Sequence, residues 1–302
     1  MMDPHFYSLF GLSIASDMPL PELVRIVPVV APDVIVRMRA DAASPTIAEP
    51  YPIDDHLSLT IDGIARYTVA RGAEIVVDPD PGALERNVRL YLLGSAMGML
   101  LHQRGLLPLH ANSIEIDGRA FLFMGHSGAG KSTLAAWFHD RGYRVIADDV
   151  SVIGFDGEGR PAVRPGLPRL RLWRDTLDAT GRDAALFERS YAGDDSYDKY
   201  DVPIEPAGLA TGDVELSAIY LLAKGDQFGL SALSGMEAAD AVFANTYRGR
   251  YVESMNQQRP HWEATLNLIR ATPIFRLERR WDHRLMREEI EPVVEHARSL
   301  IG

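Results

Sequence analysis

Gly125-His126-Ser127-Gly128-Ala129-Gly130-Lys131-Ser132 matches the pattern G-x-x-x-x-G-K-[ST] in full. Glycines at this spacing let successive backbone N–H groups converge on phosphate oxygens, and the lysine reaches the β- and γ-phosphates. The Ser132 hydroxyl is suited to ligate Mg²⁺. An apolar strand-like run, Ala120–Met124, leads into the loop, and a helix from Ser132 to about Arg141 leads out of it, with Gly142 as its stop. That is the context the chemistry needs, because the anion then lies at a helix N-terminus.

Asp148 and Asp149 end the next strand-like run, Arg144–Ala147. A carboxylate beside a phosphate loop is where a Mg²⁺ ligand is needed, and a second one allows a division of labour. One carboxylate holds metal while the other accepts a proton from an attacking hydroxyl. An Asx turn or a helix cap closing the strand would use the same residues. His110 lies just before the strand that leads towards the loop, and on its own it reads equally as a structural histidine.

Other elements must hold these groups in place. Ser113–Ile116 and Ala120–Met124 are joined by Asp117-Gly118, a hairpin signal. Upstream, Val34–Met38, Leu57–Ile61 and Ala73–Val77 alternate with Pro, Asp and Gly clusters, and 31–52 reads as strand plus loops. From Asn87 to Gln103 the period turns helical, with Val88, Leu92, Ala96 and Met99 on one face. These elements predict a small β-rich domain over 1–105, a candidate peptide-recognition element, followed by an α/β catalytic domain over 106–302. The segment 187–203 is polar, rich in Tyr and Asp, and predicts a mobile loop. Helices are expected around Met236–Ala244, Trp262–Ala271 and His283–Leu300, with a strand at Ile274–Leu277.

The run LPLHANSIEIDGRAFLFMGHSGAGKSTLAAWFHDRGYRVIADDVSVI, residues 107–153, resembles the HPr serine kinase/phosphorylase family. That family shows a His-led strand, a hairpin, a G-x-S-G-x-G-K-S loop, a helix ending in R-G and a strand ending in A-D-D. The resemblance implies a P-loop kinase core of the type shared with ATP-dependent phosphoenolpyruvate carboxykinases. It also implies transfer of a phosphoryl group from ATP, with Mg²⁺, to a serine hydroxyl. His110 then falls on the family's active-site histidine, Asp148 on a metal-associated carboxylate and Asp149 on the general base. A homo-oligomer is a further implication.

Two departures bear on the acceptor. The signature E-V-R-G-x-G-x-x-N of family members acting on HPr is replaced by RPGLPRLRLW at Arg164–Trp173. The opening FGLSIASDMPLPEL resembles a divergent branch found with peptide-tailoring systems, whose kinases act on the C-terminal Ser of lasso-type precursor peptides. A peptide or small protein is therefore the expected acceptor. A regulatory HPr(Ser) kinase/phosphorylase, a non-catalytic nucleotide-sensing module and a small-alcohol kinase are the alternatives.

Arg164, Arg169, Arg171 and Arg174 fall where the family places substrate- and phosphate-contacting groups. Arg169 and Arg171 would share one face of an extended strand. Lys199, in the segment Tyr191–Pro203, matches the position of the family's flexible substrate loop and is a candidate to reach the phosphates. Each also has a plainer reading as a solvated surface residue. His126 decorates the phosphate loop without a role, and Trp281 reads as a packing residue.

Composition bounds the rest. The chain has 302 residues, 46% hydrophobic and 24% charged, as a globular protein of one or two domains does. A net charge of −11 argues against a nucleic-acid or anionic-membrane surface. The absence of Cys excludes thiolate catalysis, disulfides and Cys-based metal sites. The opening residues do not read as a secretory signal, and Leu90–Leu101 is too short to span a bilayer, so a cytoplasmic location is expected. Lysine is confined to Lys131, Lys199 and Lys224, against arginine at every other basic position, and Lys224 alone is left without a role.

Overall fold

The computed structural model describes residues 4–39, 56–194 and 196–301. The chain divides into two compact units: Met1–Leu106 with Tyr191–Tyr197 and Arg248–His261, and Leu107–Ser190 with Asp198–Tyr247 and Trp262–Gly302.

In the first unit the strands are β1 (His5–Leu9), β2 (Leu12–Ser16), β3 (Val24–Arg25), β4 (Val34–Met38), β5 (His56–Ile61), β6 (Ala65–Ala70) and β7 (Glu74–Pro79). Among the described residues they form one sheet in the order β3-β1-β2-β4-β7-β6-β5. Residues 40–52 of the stretch read as strand plus loops lie outside the described residues. Alternation sets the burial: Tyr67 and Val69 of β6 and Ile75 and Val77 of β7 are fully buried, with half-buried Thr68 and Val76 between them. The predicted helix over 87–103 is interrupted. α1 (Glu85–Tyr91) and α2 (Met97–Gln103) are separated by a π-turn at Leu92–Ala96, which contains Gly94. A π-turn adds one residue to a turn, so Leu92, Leu93, Ser95 and Ala96 are all buried rather than one stripe of them. A short helix, Arg250–Ser254, also packs in this unit.

The second unit is built on a mixed sheet. Its strands are β8 (Leu107–Leu109), β9 (Ala111–Ile116), β10 (Arg119–Met124), β11 (Arg144–Ala147), β12 (Ser151–Phe155) and β13 (Pro161–Arg164). β17 (Val214–Lys224), β18 (Gly229–Leu233) and β19 (Ile274–Arg279) complete it. The order is β11-β9-β10-β17-β13-β12-β8, with β19 pairing β17 and β18. β9 and β10 are an antiparallel hairpin, while β10, β17 and β19 run parallel, so their C-terminal ends gather on one edge. In open α/β sheets that edge is where ligands bind.

Helix α3 (Lys131–His139) covers β9, β10 and β11 and buries Leu134, Ala135, Ala136 and Phe138. Beneath it Phe123 packs on Phe138 and stacks on Tyr220, with ring centroids 5.5 and 5.2 Å apart. The C-terminal helix, Met286–Ser299, adds Ile290, Val293 and Ala297 to the same core. A small sheet of β14 (Arg169–Trp173), β15 (Glu188–Arg189) and β16 (Lys199–Pro203) lies in the order β14-β16-β15.

The mobile loop expected at 187–203 carries strands at its two ends, Glu188–Arg189 and Lys199–Pro203. In β16 Tyr200 and Val202 are buried while Lys199 and Asp201 face the other way, a period of two hidden inside a polar composition. The preceding turn is pinned as well: Asn87 Nδ2 donates to Ala192 O and Ala192 N donates to Asn87 Oδ1, both at 2.8 Å.

Candidate active site

Strand β10 delivers the chain to Gly125, which must approach β17 closely. A Cβ there would stand 3.1 Å from Ala129 Cβ and 3.2 Å from the Leu222 carbonyl. After Gly125 the loop turns outward, so His126, Ser127 and Gly128 are exposed while Ala129 is buried. Gly130 caps α3 with φ of 82°, a left-handed conformation that favours glycine. The loop therefore ends at the N-terminus of a nine-residue helix, where unpaired N–H groups and the helix dipole favour an anion.

Lys131 Nζ donates to the carbonyls of Gly125 at 2.7 Å and His126 at 3.0 Å, so its ammonium sits inside the loop's concavity. Burial pushes its pKa down to about 8, against the pull of Asp149 and Asp148. Asn112, fully buried on β9, donates from Nδ2 to the Lys131 carbonyl and ties the hairpin to the first turn of α3.

Asp148 and Asp149 stand at the end of β11, and the structure gives them different surroundings. Ser132 Oγ donates to Asp148 Oδ1 at 3.2 Å, and the Arg171 backbone N–H donates to Asp148 Oδ2 at 2.7 Å. Burial raises the Asp148 pKa above the ordinary aspartate value. Asp149 has φ of 73°, which lifts its carboxylate out of the strand direction towards three cationic or ionisable groups. Arg171 Nη1 donates to its Oδ2 at 2.9 Å, Lys199 Nζ lies 3.8 Å from its Oδ1, and His110 Nδ1 lies 3.7 Å from the same oxygen. Burial alone would raise the Asp149 pKa. Arg171, Lys199, His110 and Arg169 together outweigh it and hold the carboxyl well below the usual range.

His110 is fixed by its ring: Nδ1 is 2.9 Å from the Asp149 carbonyl oxygen. Burial and then the Lys131 charge lower its pKa, so at neutral pH the ring is neutral. A neutral ring donates to that carbonyl from Nδ1 and leaves Nε2 as an acceptor.

The arginines separate into two groups. Arg169 and Arg171 lie on one face of β14, and both reach Asp201 of β16: Arg169 Nη1 pairs with Oδ2, and Arg171 Nε lies 3.3 Å from Oδ1. Ser190 Oγ also donates to Asp201 Oδ1, at 2.6 Å. Burial pushes Arg169 down to about 10, with the Arg171 charge next. Arg164 and Arg174 are not part of this cluster. Arg164 lies on β13 with Nε 4.0 Å from Asp213, and Arg174 is exposed, with Nε 3.4 Å from Asp178. The reason is backbone geometry: a strand face takes every second residue, and β14 ends before Arg174.

Asn112 and Asp201 escaped the sequence reading. Asn112 gave no local signal in its mixed strand, ANSIEI, and Asp201 gave a faint one in its i, i+2 relation to Lys199. His126 and Lys224 are also not idle. The His126 ring lies 5.3 Å from that of Trp281, and Lys224 Nζ lies 5.7 Å from the same indole, a cation–π distance.

The described residues hold no group of three or more His, Cys, Asp or Glu that could hold a metal ion. Ser132 Oγ and Asp148 Oδ1 form a two-oxygen donor set beside the phosphate loop. That fits Mg²⁺, which is usually held by one or two protein oxygens with substrate phosphates and water. Among the described residues no helix is long and apolar enough to cross a membrane.

No family model matches this chain, and no curated protein matches it. Among solved structures, the HPr(Ser) kinase/phosphatase from Coxiella burnetii aligns over 65% of this chain and 99% of its own length. The identity is 14% and the TM-score 0.36. The chemistry of the site rests on its own geometry.

Proposed function

We propose that this chain is an ATP-dependent serine kinase. One observation carries the reading: a carboxylate raised out of its strand by a left-handed residue, Asp149, faces Arg171, Lys199 and His110. Its neighbour Asp148 meets the phosphate-loop serine.

The loop amides and the N-terminus of α3 hold the nucleotide phosphates, and Lys131 exchanges its two carbonyl partners for phosphate oxygens. Ser132 and Asp148 are the residues that would hold Mg²⁺, which supplies charge neutralisation on the phosphate oxygens. The acceptor Oγ attacks the γ-phosphorus as the bond to the bridging oxygen breaks, and ADP leaves with that electron pair. Asp149 takes the hydroxyl proton. The carboxylate is a weak base while Arg171 and Lys199 hold it, which suits phosphoryl transfer because positioning and charge stabilisation dominate its catalysis. Arg171 and Lys199 offset charge on the transferring group, and neutral His110 orients the Asp149 backbone through its carbonyl.

The acceptor is a serine on a peptide or small protein. A lasso-type precursor with a C-terminal Ser is preferred on the resemblance of residues 10–23 and the absence of the HPr-directed signature. The N-terminal β-rich unit is the proposed recognition element, and the net charge of −11 suits a neutral or basic peptide.

Incubation with γ-labelled ATP, Mg²⁺ and either HPr or synthetic peptides ending in Ser tests this. Phosphoserine on the peptides supports the reading, and selective labelling of HPr overturns the peptide acceptor. ATP binding with no transfer to any serine would favour a nucleotide sensor, a role compatible with an Asp149 permanently engaged by Arg171.

A further inference from the structure

Arg279 ends β19 on the edge of the sheet where the phosphate loop lies, and its side chain reaches that loop. It is 3% exposed, and its Nη2 lies 2.8 Å from the point where a Cβ on Gly130 would stand. For so buried a guanidinium its partners are poor. Nη1 meets the Met286 sulfur at 3.3 Å and the Arg280 carbonyl at 3.5 Å, and Nε is buried without a hydrogen-bond partner among the described residues. Glu289 supplies a counter-charge without a hydrogen bond to Arg279: its Oε1 accepts from the backbone N–H and Nε of Arg280, at 3.1 and 2.9 Å, and its Oε2 is buried without a hydrogen-bond partner among the described residues. A buried cation without a hydrogen-bonded anion is costly, and an arriving anion would relieve that cost.

Sheet order says which anion. The Asp pair ends β11 on one flank of β10, whereas β17 and β19 lie on the other. The transferred phosphoryl belongs towards Asp149, so a group entering from β19 meets the phosphates that stay behind.

We propose that Arg279 is a nucleotide-binding residue that contacts the non-transferred phosphates, the leaving diphosphate, from the side of the loop opposite the Asp pair. This rests on the kinase reading above. Gly130 is then doubly constrained: its left-handed φ and the approach of Nη2 both exclude a side chain. Because the phosphates it contacts are present in ADP as well as in ATP, its loss weakens the binding of both nucleotides and raises KM for ATP.

Calorimetric titration of the full chain with ADP and with ATP tests this, on wild type, Arg279→Met and Arg279→Lys. Arg279→Met is expected to bind both nucleotides about tenfold or more weakly, with its unliganded melting temperature unchanged or raised, since a charge-assisted fork to phosphate is lost. Arg279→Lys is expected to recover part of that affinity, and it serves as the test if the Met variant does not fold. ADP affinity within twofold of wild type in a folded variant overturns the proposal, as does weakened ATP binding with ADP binding intact. Failure of the wild type to bind either nucleotide sinks the kinase reading itself, before any variant is compared.

Discussion

Asp149 Oδ2 accepts a hydrogen bond from Arg171 Nη1 at 2.9 Å. The backbone N–H of the same arginine donates to Asp148 Oδ2 at 2.7 Å, so one residue of β14 registers both carboxylates against the phosphate loop. Only the first bond depends on the side chain.

Arg171→Met therefore removes that bond, together with the side-chain contact to Asp201 Oδ1. The variant keeps the backbone contact to Asp148 and frees Asp149 to titrate higher, because burial is then less opposed. Transfer is expected to fall by about 10² from lost charge stabilisation. The sign of the pH effect follows from the base having to be ionised: activity falls on the acid side, and that limb moves to higher pH in the variant. An unshifted limb in the pH–rate profile would show that Arg171 does not set the Asp149 charge.

Lys131 gives a pH dependence of opposite hand. Its ammonium is pushed down to about 8, and phosphate binding needs the charged form. ATP affinity is expected to be flat below that value and to weaken by up to about tenfold per pH unit above it. Binding at pH 8.5 should take up a proton that binding at pH 7 does not. Calorimetry in buffers of different ionisation enthalpy measures this, and the difference should vanish in Lys131→Ala.

On the kinase reading, Asp148 holds Mg²⁺ at a cost in stability. Burial raises its folded pKa above the unfolded value, so stability is lost as pH rises through that interval. Asp148→Asn keeps an acceptor for the Arg171 N–H and removes the buried charge. Its melting temperature at pH 7 with EDTA is expected to rise by roughly 2–4 °C, for a gain on the order of 1 kcal/mol. The gain should shrink towards pH 4. A fall in melting temperature at pH 7 would contradict this account of the site.

The strand–loop–helix geometry around residues 125–132 and the place of Asp148 and Asp149 at a strand end were legible because each is encoded locally. Turn glycines, an apolar run and a helix start lie within a few residues of one another, and Asp117-Gly118 closes its hairpin with both residues at positive φ. β16 was not legible because its alternation covers five residues of mixed polarity, KYDVP, which composition alone reads as loop. The π-turn inside the N-terminal helix follows from how much apolar surface its surroundings accept, which no local spacing records. Asn112, Asp201 and Arg279 act across sequence separations of 19, 30 and 149 residues, to Lys131, Arg171 and Gly130, so pairing in the sheet had to place them.

The central claim is that Asp149 takes the proton of the attacking serine. Asn tolerates the left-handed conformation that Asp149 adopts, so Asp149→Asn preserves the backbone while abolishing the base. The decisive measurement compares this variant with wild type for ATP affinity and for transfer of labelled γ-phosphate to a serine-bearing peptide. The account predicts ATP affinity within a few-fold of wild type and transfer reduced by about 10³. Transfer at the wild-type rate by Asp149→Asn would contradict it.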